Sequence, residues 1–133
     1  MTPDRESSSR PPDEAQPAAE VFRTALSIDV LVFYSPVAST EDVLAAVFAA
    51  GAGAIGSYTE CAWFVEGTGQ FRPGLGANPA IGTVGERERL PEHRVEVTIP
   101  RSSRRAVLAA LLSAHPYEEP AFHVIETAAP DPD

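Results

Sequence analysis

A chain of 133 residues, 44% of them hydrophobic, carries enough apolar material for one compact core. Its formal net charge of −9, with arginine as the only strong base, sets it against a polyphosphate backbone, so nucleic acid is not an expected partner. One cysteine excludes an internal disulfide and C-x-x-C chemistry, the absence of lysine excludes a Walker A site, and no apolar run reaches membrane-spanning length.

Residues 1–24 are rich in Pro, Ser, Asp and Glu and contain no apolar leader segment, so they read as a solvated, disordered acidic tail of a cytoplasmic protein. Residues 25–127 read as the folded domain and 128–133 as a second short acidic tail.

The domain opens on "DVLVFY", a buried strand ended by Pro36. Ser39 or Thr40 is the expected N-cap of a helix whose apolar stripe is Val43, Leu44, Val47 and Phe48. The same order recurs 64 positions later: "RVEVTI", then Pro100, then Ser102 or Ser103 as cap, then Val107, Leu108, Leu111 and Leu112. Each helix leads into another strand, within "SYTECAWFVE" in the first copy and "AFHVIE" in the second. β-α-β twice predicts an α+β, ferredoxin-like sandwich: a four-stranded antiparallel sheet with two helices on one face. The second and fourth strands then form opposite edges, and the helix-free face needs cover, which predicts an oligomer.

Between the copies lie all nine glycines, from Gly51 to Gly85. Gly51, Gly53 and Gly56 spell G-x-G-x-x-G, but they follow a helix and precede a strand, the reverse of a dinucleotide site. Gly51 or Gly53 is instead expected to close the helix in a left-handed conformation. Gly67-Thr68-Gly69 has hairpin chemistry, folding "CAWFVE" back on "QFRP". Gly74 to Gly85 form a long loop, and "TVGERERL" is expected to begin a further edge strand.

The chemically distinctive stretch is "AHPYEEPAF" in the second helix-to-strand turn. His115 with Glu118 or Glu119, joined by Cys61, could form a site for a divalent metal such as Zn²⁺ or Cu²⁺. The plain alternative makes His115 a charged helix C-cap, Tyr117 a packing residue and the glutamates solvated. Cys61 could meet His123 only across a subunit boundary. Arg101, Arg104 and Arg105 cluster at the start of the second helix, either in salt bridges or as an anion site.

"GAGAIGSYTECAWFVEGTGQFRPGLGANPAIG" together with "AHPYEEPAF" closely resembles the inserted domain of the YqfO branch of the Nif-three-like dinuclear-metal-centre family. That insert is itself similar to the trimeric CutA and PII folds. The resemblance spans about residues 28 to 127 and agrees with the periodicity. Departures are Ala62, Trp63 and Phe64 after Cys61, Ser57 before Tyr58, and Phe122 after Pro120-Ala121. The flanking half-domains that hold the family's metal ligands are not matched, so no hydrolase-like activity carries over. The resemblance implies a non-catalytic homotrimeric binding or signalling module for a small ligand or metal ion. Its ligand-binding residues would be Gly53, Gly56, Tyr58, Gly67, Gly69, Phe71, Gly76, Pro79, Gly82 and Tyr117. A metal-buffering protein, or an interaction subunit for a Nif-three-like protein partner, is the alternative.

Overall fold

The computed structural model describes residues 27–128; the predicted tails, apart from residue 128, lie outside the described residues. The chain runs β1 (Ile28–Pro36), α1 (Thr40–Ala49), β2 (Trp63–Phe71), β3 (Glu88–Pro100), α2 (Arg104–Ala114) and β4 (Phe122–Glu126). A single 3-10 turn precedes each helix, at Val37–Ser39 and Arg101–Ser103. The sheet order is β2-β3-β1-β4 and every pairing is antiparallel, so the ferredoxin-like sandwich is the fold, with β2 and β4 at the edges.

Alternation sorts the side chains. Leu31 and Phe33 of β1 stand opposite Val97 and Val95 of β3 and point to the helices, where Val43, Val47, Val107 and Leu111 meet them in a fully buried core. Among the described residues the opposite face of the sheet carries no helix. On it Trp63, Val65 and Ile125 are about half exposed or more, and their apolar surface lies open in the single chain.

The helix ends depart from expectation in one respect. Neither Ser39 nor Ser103 makes a side-chain cap; each helix grows out of its 3-10 turn instead. Thr40 turns inward, with Oγ1 2.7 Å from both Ser35 Oγ and His93 Nδ1. The expected glycine stop is realised in full. Gly51, at φ +117°, donates to the Phe48 carbonyl, and Ala52 donates to the Val47 carbonyl, which together make a Schellman motif.

Two expectations about the middle of the chain are corrected. Gly67-Thr68-Gly69 is no hairpin: these residues lie inside β2, paired with Glu92, Pro91 and Leu90. Neither Gly67 nor Gly69 takes a positive φ, which a tight two-residue hairpin would need. Likewise "TVGERERL" starts no edge strand. Glu88 begins β3 itself, an interior strand that continues unbroken through Pro91 to Pro100. Pro91 is tolerated because β1 pairs with β3 only as far as Glu92, so β3 has a single neighbour there. The strand expected within "SYTECAWFVE" begins only at Trp63. Ahead of it, Ile55 and Tyr58 exchange two backbone bonds of 2.9 Å across Gly56-Ser57, a hairpin in miniature with Gly56 at φ +57°.

Candidate functional site

The end of the sheet where β2 stops and β1 turns into α1 carries the candidate site. Strand alternation places Tyr34, Glu92, Gly67, Gly69 and Phe71 on the helix-free face. Over them folds the loop between β2 and β3, tied at its neck by a 2.8 Å bond from Gly85 N–H to the Pro73 carbonyl. From the other side comes the turn between α2 and β4. Glu118 reaches across to this loop, Oε1 accepting from Asn78 N–H at 3.0 Å. Strand end, loop and turn enclose a cleft of about 340 Å³ walled by Tyr34, Phe71, Pro79, Ile81 and Tyr117. Glu92, Glu118, Glu119 and Arg72 are its charged lining residues. That volume lies at the small end of metabolite pockets.

The rigid centre of this end is His115. It caps α2, is 5% exposed, and uses both ring nitrogens: Nε2 lies 2.6 Å from the Tyr34 carbonyl, and Nδ1 accepts from Tyr117 N–H at 3.1 Å. These partners fix the neutral tautomer with hydrogen on Nε2. Burial holds the pKa of His115 below the ordinary 6.5, against the raising effects of the Tyr34 carbonyl and the Glu92 charge. Tyr117 then aims its hydroxyl at Glu92, donating to Oε2 at 2.7 Å, while its ring meets Phe71 edge-on at 5.7 Å. Burial and this carboxylate push the Tyr117 pKa well up, so the phenol stays protonated and donating.

Glycine has a defined part here. A Cβ on Gly69 would overlap the Glu92 carboxylate, so the missing side chain is what lets Glu92 lie across β2 toward the cleft. At Gly67 a Cβ would meet nothing.

The proposed site residues thus divide between two ends of the sheet. Phe71, Pro79, Tyr117, Glu118 and Glu119 line the cleft; Gly76 and Gly82 shape its loop at φ +90° and +100°; Gly67 and Gly69 lie on the same sheet face in β2 but outside the lining. Gly53, Gly56, Tyr58 and Cys61 lie at the opposite end. There Gly53 N–H donates to the Thr98 carbonyl at 2.7 Å and Cys61 N–H to the Gly53 carbonyl. Cys61 and His115 are therefore not brought together within the chain, and among the described residues no three His, Cys, Asp or Glu side chains converge to hold a metal ion. The sequence reading missed Tyr34 and Glu92. Their signal lies in the register: both fall on the same face as the β2 glycines once β1, β2 and β3 are aligned.

Arg101 and Arg104 resolve as a structural clasp, in which Arg105 takes no part among the described residues. Arg101 Nε and Arg104 Nε reach the two oxygens of Asp29, fully buried at the start of β1, at 2.9 and 2.8 Å. Arg104 also pairs with Glu126, and Arg101 donates to the carbonyls of Ile28 and Thr127. Burial alone would raise the Asp29 pKa; the two guanidinium groups outweigh it and hold the carboxyl below its ordinary range. Both ends of the described fold are thereby tied side by side.

No family profile matches the chain. Individual proteins do. It is 54% identical over 106 residues to a GTP cyclohydrolase 1 type 2 homolog of Mycobacterium tuberculosis, covering 80% of this chain and 28% of that protein. A homolog of the same name from Bacillus subtilis is 47% identical over 94 residues, covering 71% and 25%. The chain thus spans about a quarter of the length of the curated relatives it matches. Among solved structures, a Bacillus cereus protein related to NIF3 superposes with a TM-score of 0.65 at 40% identity, covering 76% of this chain and 26% of the other. The divalent ion tolerance protein CutA1 of Ehrlichia chaffeensis superposes with a TM-score of 0.53 at 14% identity, covering 79% and 85%, a likeness of fold alone. The domain is therefore NIF3-related in sequence and CutA-like in fold. No helix among the described residues is long and apolar enough to cross a membrane.

Proposed function

We propose that this domain is a non-catalytic binding module that takes a small ligand in the cleft between the β2–β3 loop and the α2–β4 turn, and that it assembles as a homotrimer through its helix-free face. The observation that carries the reading is the cleft itself. It is walled by aromatic and aliphatic side chains, holds a few directed polar groups, and is framed by His115 and Tyr117 with defined hydrogen bonds. The half-exposed Trp63, Val65 and Ile125 supply apolar area for self-association, and the resemblance to the trimeric CutA and PII folds favours three copies.

Native mass spectrometry of the protein purified from its host tests both parts. The expected result is a trimer that releases a small molecule on denaturation, with the load lost in Ala80→Trp, whose indole would fill the cleft. A monomer with no bound mass overturns the reading.

A second reading, an interaction subunit for a NIF3-like partner, is favoured by one observation. The ends of the described fold leave side by side, joined by Thr127 N–H to the Ile28 carbonyl and by Arg101. Such an arrangement suits a unit set against a larger body. Co-purification of a NIF3-related chain in place of a small molecule would select it.

A further inference from the structure

Resting on the reading of the cleft as a ligand site, we infer its ligand class: a small organic ammonium ion, gripped by carboxylates and aromatic faces together.

Three carboxylates, of Glu92, Glu118 and Glu119, line the cleft against the single guanidinium of Arg72. Glu88 adds to the negative field felt at Tyr117. An anionic ligand would enter against this charge; a cation enters with it. The carboxylates are positioned as well as present. Glu92 lies in the space that Gly69 leaves open and is steered by the Tyr117 hydroxyl on Oε2. Glu118 is steered by Asn78 N–H on Oε1. Among the described residues, each has its other oxygen without a hydrogen-bond donor, available to an ammonium N–H.

The walls separate an organic cation from a bare metal ion. A divalent ion needs several oxygen or nitrogen ligands converging at short range, and no such group of three exists among the described residues. An alkylammonium needs fewer carboxylates and gains from aromatic faces. Phe71 and Tyr117 supply aromatic rings, Tyr34 being already covered by the Arg94 guanidinium 5.9 Å from its ring centre, and Pro79 and Ile81 supply apolar contact for the carbon skeleton.

The test uses three probes of one size and different charge: benzylamine, benzyl alcohol and benzoate. Each is titrated into the isotope-labelled full chain at neutral pH and followed by amide chemical shifts. Benzylamine is expected to move Gly74, Ala77 and Tyr117 and to bind at least about tenfold more tightly than benzyl alcohol, with benzoate weakest. Glu92→Gln and Glu119→Gln should each weaken benzylamine several-fold and leave benzyl alcohol unchanged. Glu119 has no hydrogen-bond partner among the described residues, so its variant reports even if Glu92→Gln disturbs the fold. Benzyl alcohol or benzoate matching benzylamine at these amides overturns the ammonium assignment and leaves the cleft a ligand site. No shift at these amides with any of the three probes overturns the ligand site itself.

Discussion

The two helix-to-strand turns stand at equivalent places in the internal repeat, Gly51 in one and His115 in the other, and they have become opposite kinds of object. After α1 the chain takes left-handed turns at Gly51 and Gly53, then at Gly56, and pushes Ile55 and Tyr58 outward, 50% and 74% exposed. After α2 it takes an extended turn at His115, φ −71° and ψ 137°, and draws Tyr117 inward onto Glu92. One turn is held by backbone geometry that only glycine adopts cheaply, the other by side-chain hydrogen bonds around a buried imidazole. The first makes a projection, the second a concavity. A duplicated β-α-β unit can thus carry two different shapes at its two ends through a change confined to the turn after each helix.

The sharpest way to break the first turn is Gly53→Ala. Its Cβ would stand 2.7 Å from a Phe48 ring carbon and 3.0 Å from the Cys61 carbonyl oxygen, at φ +82°. Overpacking and left-handed strain together should cost about 3 kcal/mol. Urea titration would read this as a lower midpoint with an unchanged slope.

Breaking the second turn with His115→Ala should cost about 2 kcal/mol, because it leaves the Tyr34 carbonyl and Tyr117 N–H without partners. It also carries a pH signature. The folded-state pKa of His115 is depressed, so the unfolded chain takes up the proton first, and stability falls as pH drops through 6.5 toward the lower folded value. Thermal melts across that window should flatten in His115→Ala. Asp29, also depressed, contributes stability above the ordinary carboxylate range that is lost only at more acid pH, as the carboxyl takes up its proton. The two terms therefore separate along the pH axis.

A milder probe of the projection is Gly56→Ala. A Cβ there meets nothing, so only the φ of +57° opposes it, at about 1 kcal/mol. If Gly51, Gly53 and Gly56 act as one device, the loss should leave the cleft amides in place and appear at Ile55 and Tyr58. Movement of the Tyr117 amide in this variant would show that the two turns are coupled.

The contrast also explains what could be read in advance. The fold was legible because hydrophobic period and proline stops repeat: "VLAAVFAAG" against "VLAALLSAH" places two helices on one sheet. The C-terminal stop of α1 was legible because Gly51 comes directly after the last apolar turn. Gly67 and Gly69 misled because the hairpin signal is local, whereas their place inside β2 is set by pairing with β3, more than 20 residues away in sequence. His115, Tyr117 and the glutamates drew notice as a motif with two readings, capping and packing or metal binding. The sequence alone did not choose between them, since a ligand histidine and a buried capping histidine look alike until both ring nitrogens have partners. Glu92 was invisible for the same reason: it matters through a glycine on another strand.

The smallest expected effect is also the most selective, and it concerns the two glycines of β2. Gly67→Ala should be neutral or slightly stabilising, by about 0.5 kcal/mol, because a Cβ there meets nothing, the backbone is ordinary strand, and Ala relieves the entropy cost of Gly. Gly69→Ala should cost about 1 kcal/mol, because its methyl displaces the Glu92 carboxylate from the Tyr117 hydroxyl. Tyr117→Phe removes the same bond from the other partner. If that bond is all that Gly69 protects, the double variant should lose little more than either single one, a coupling that a thermal-melt cycle would detect. Additive losses would mean that Gly69 serves the packing of the strand instead, and the cleft would then owe its acidic wall to something other than the missing side chain.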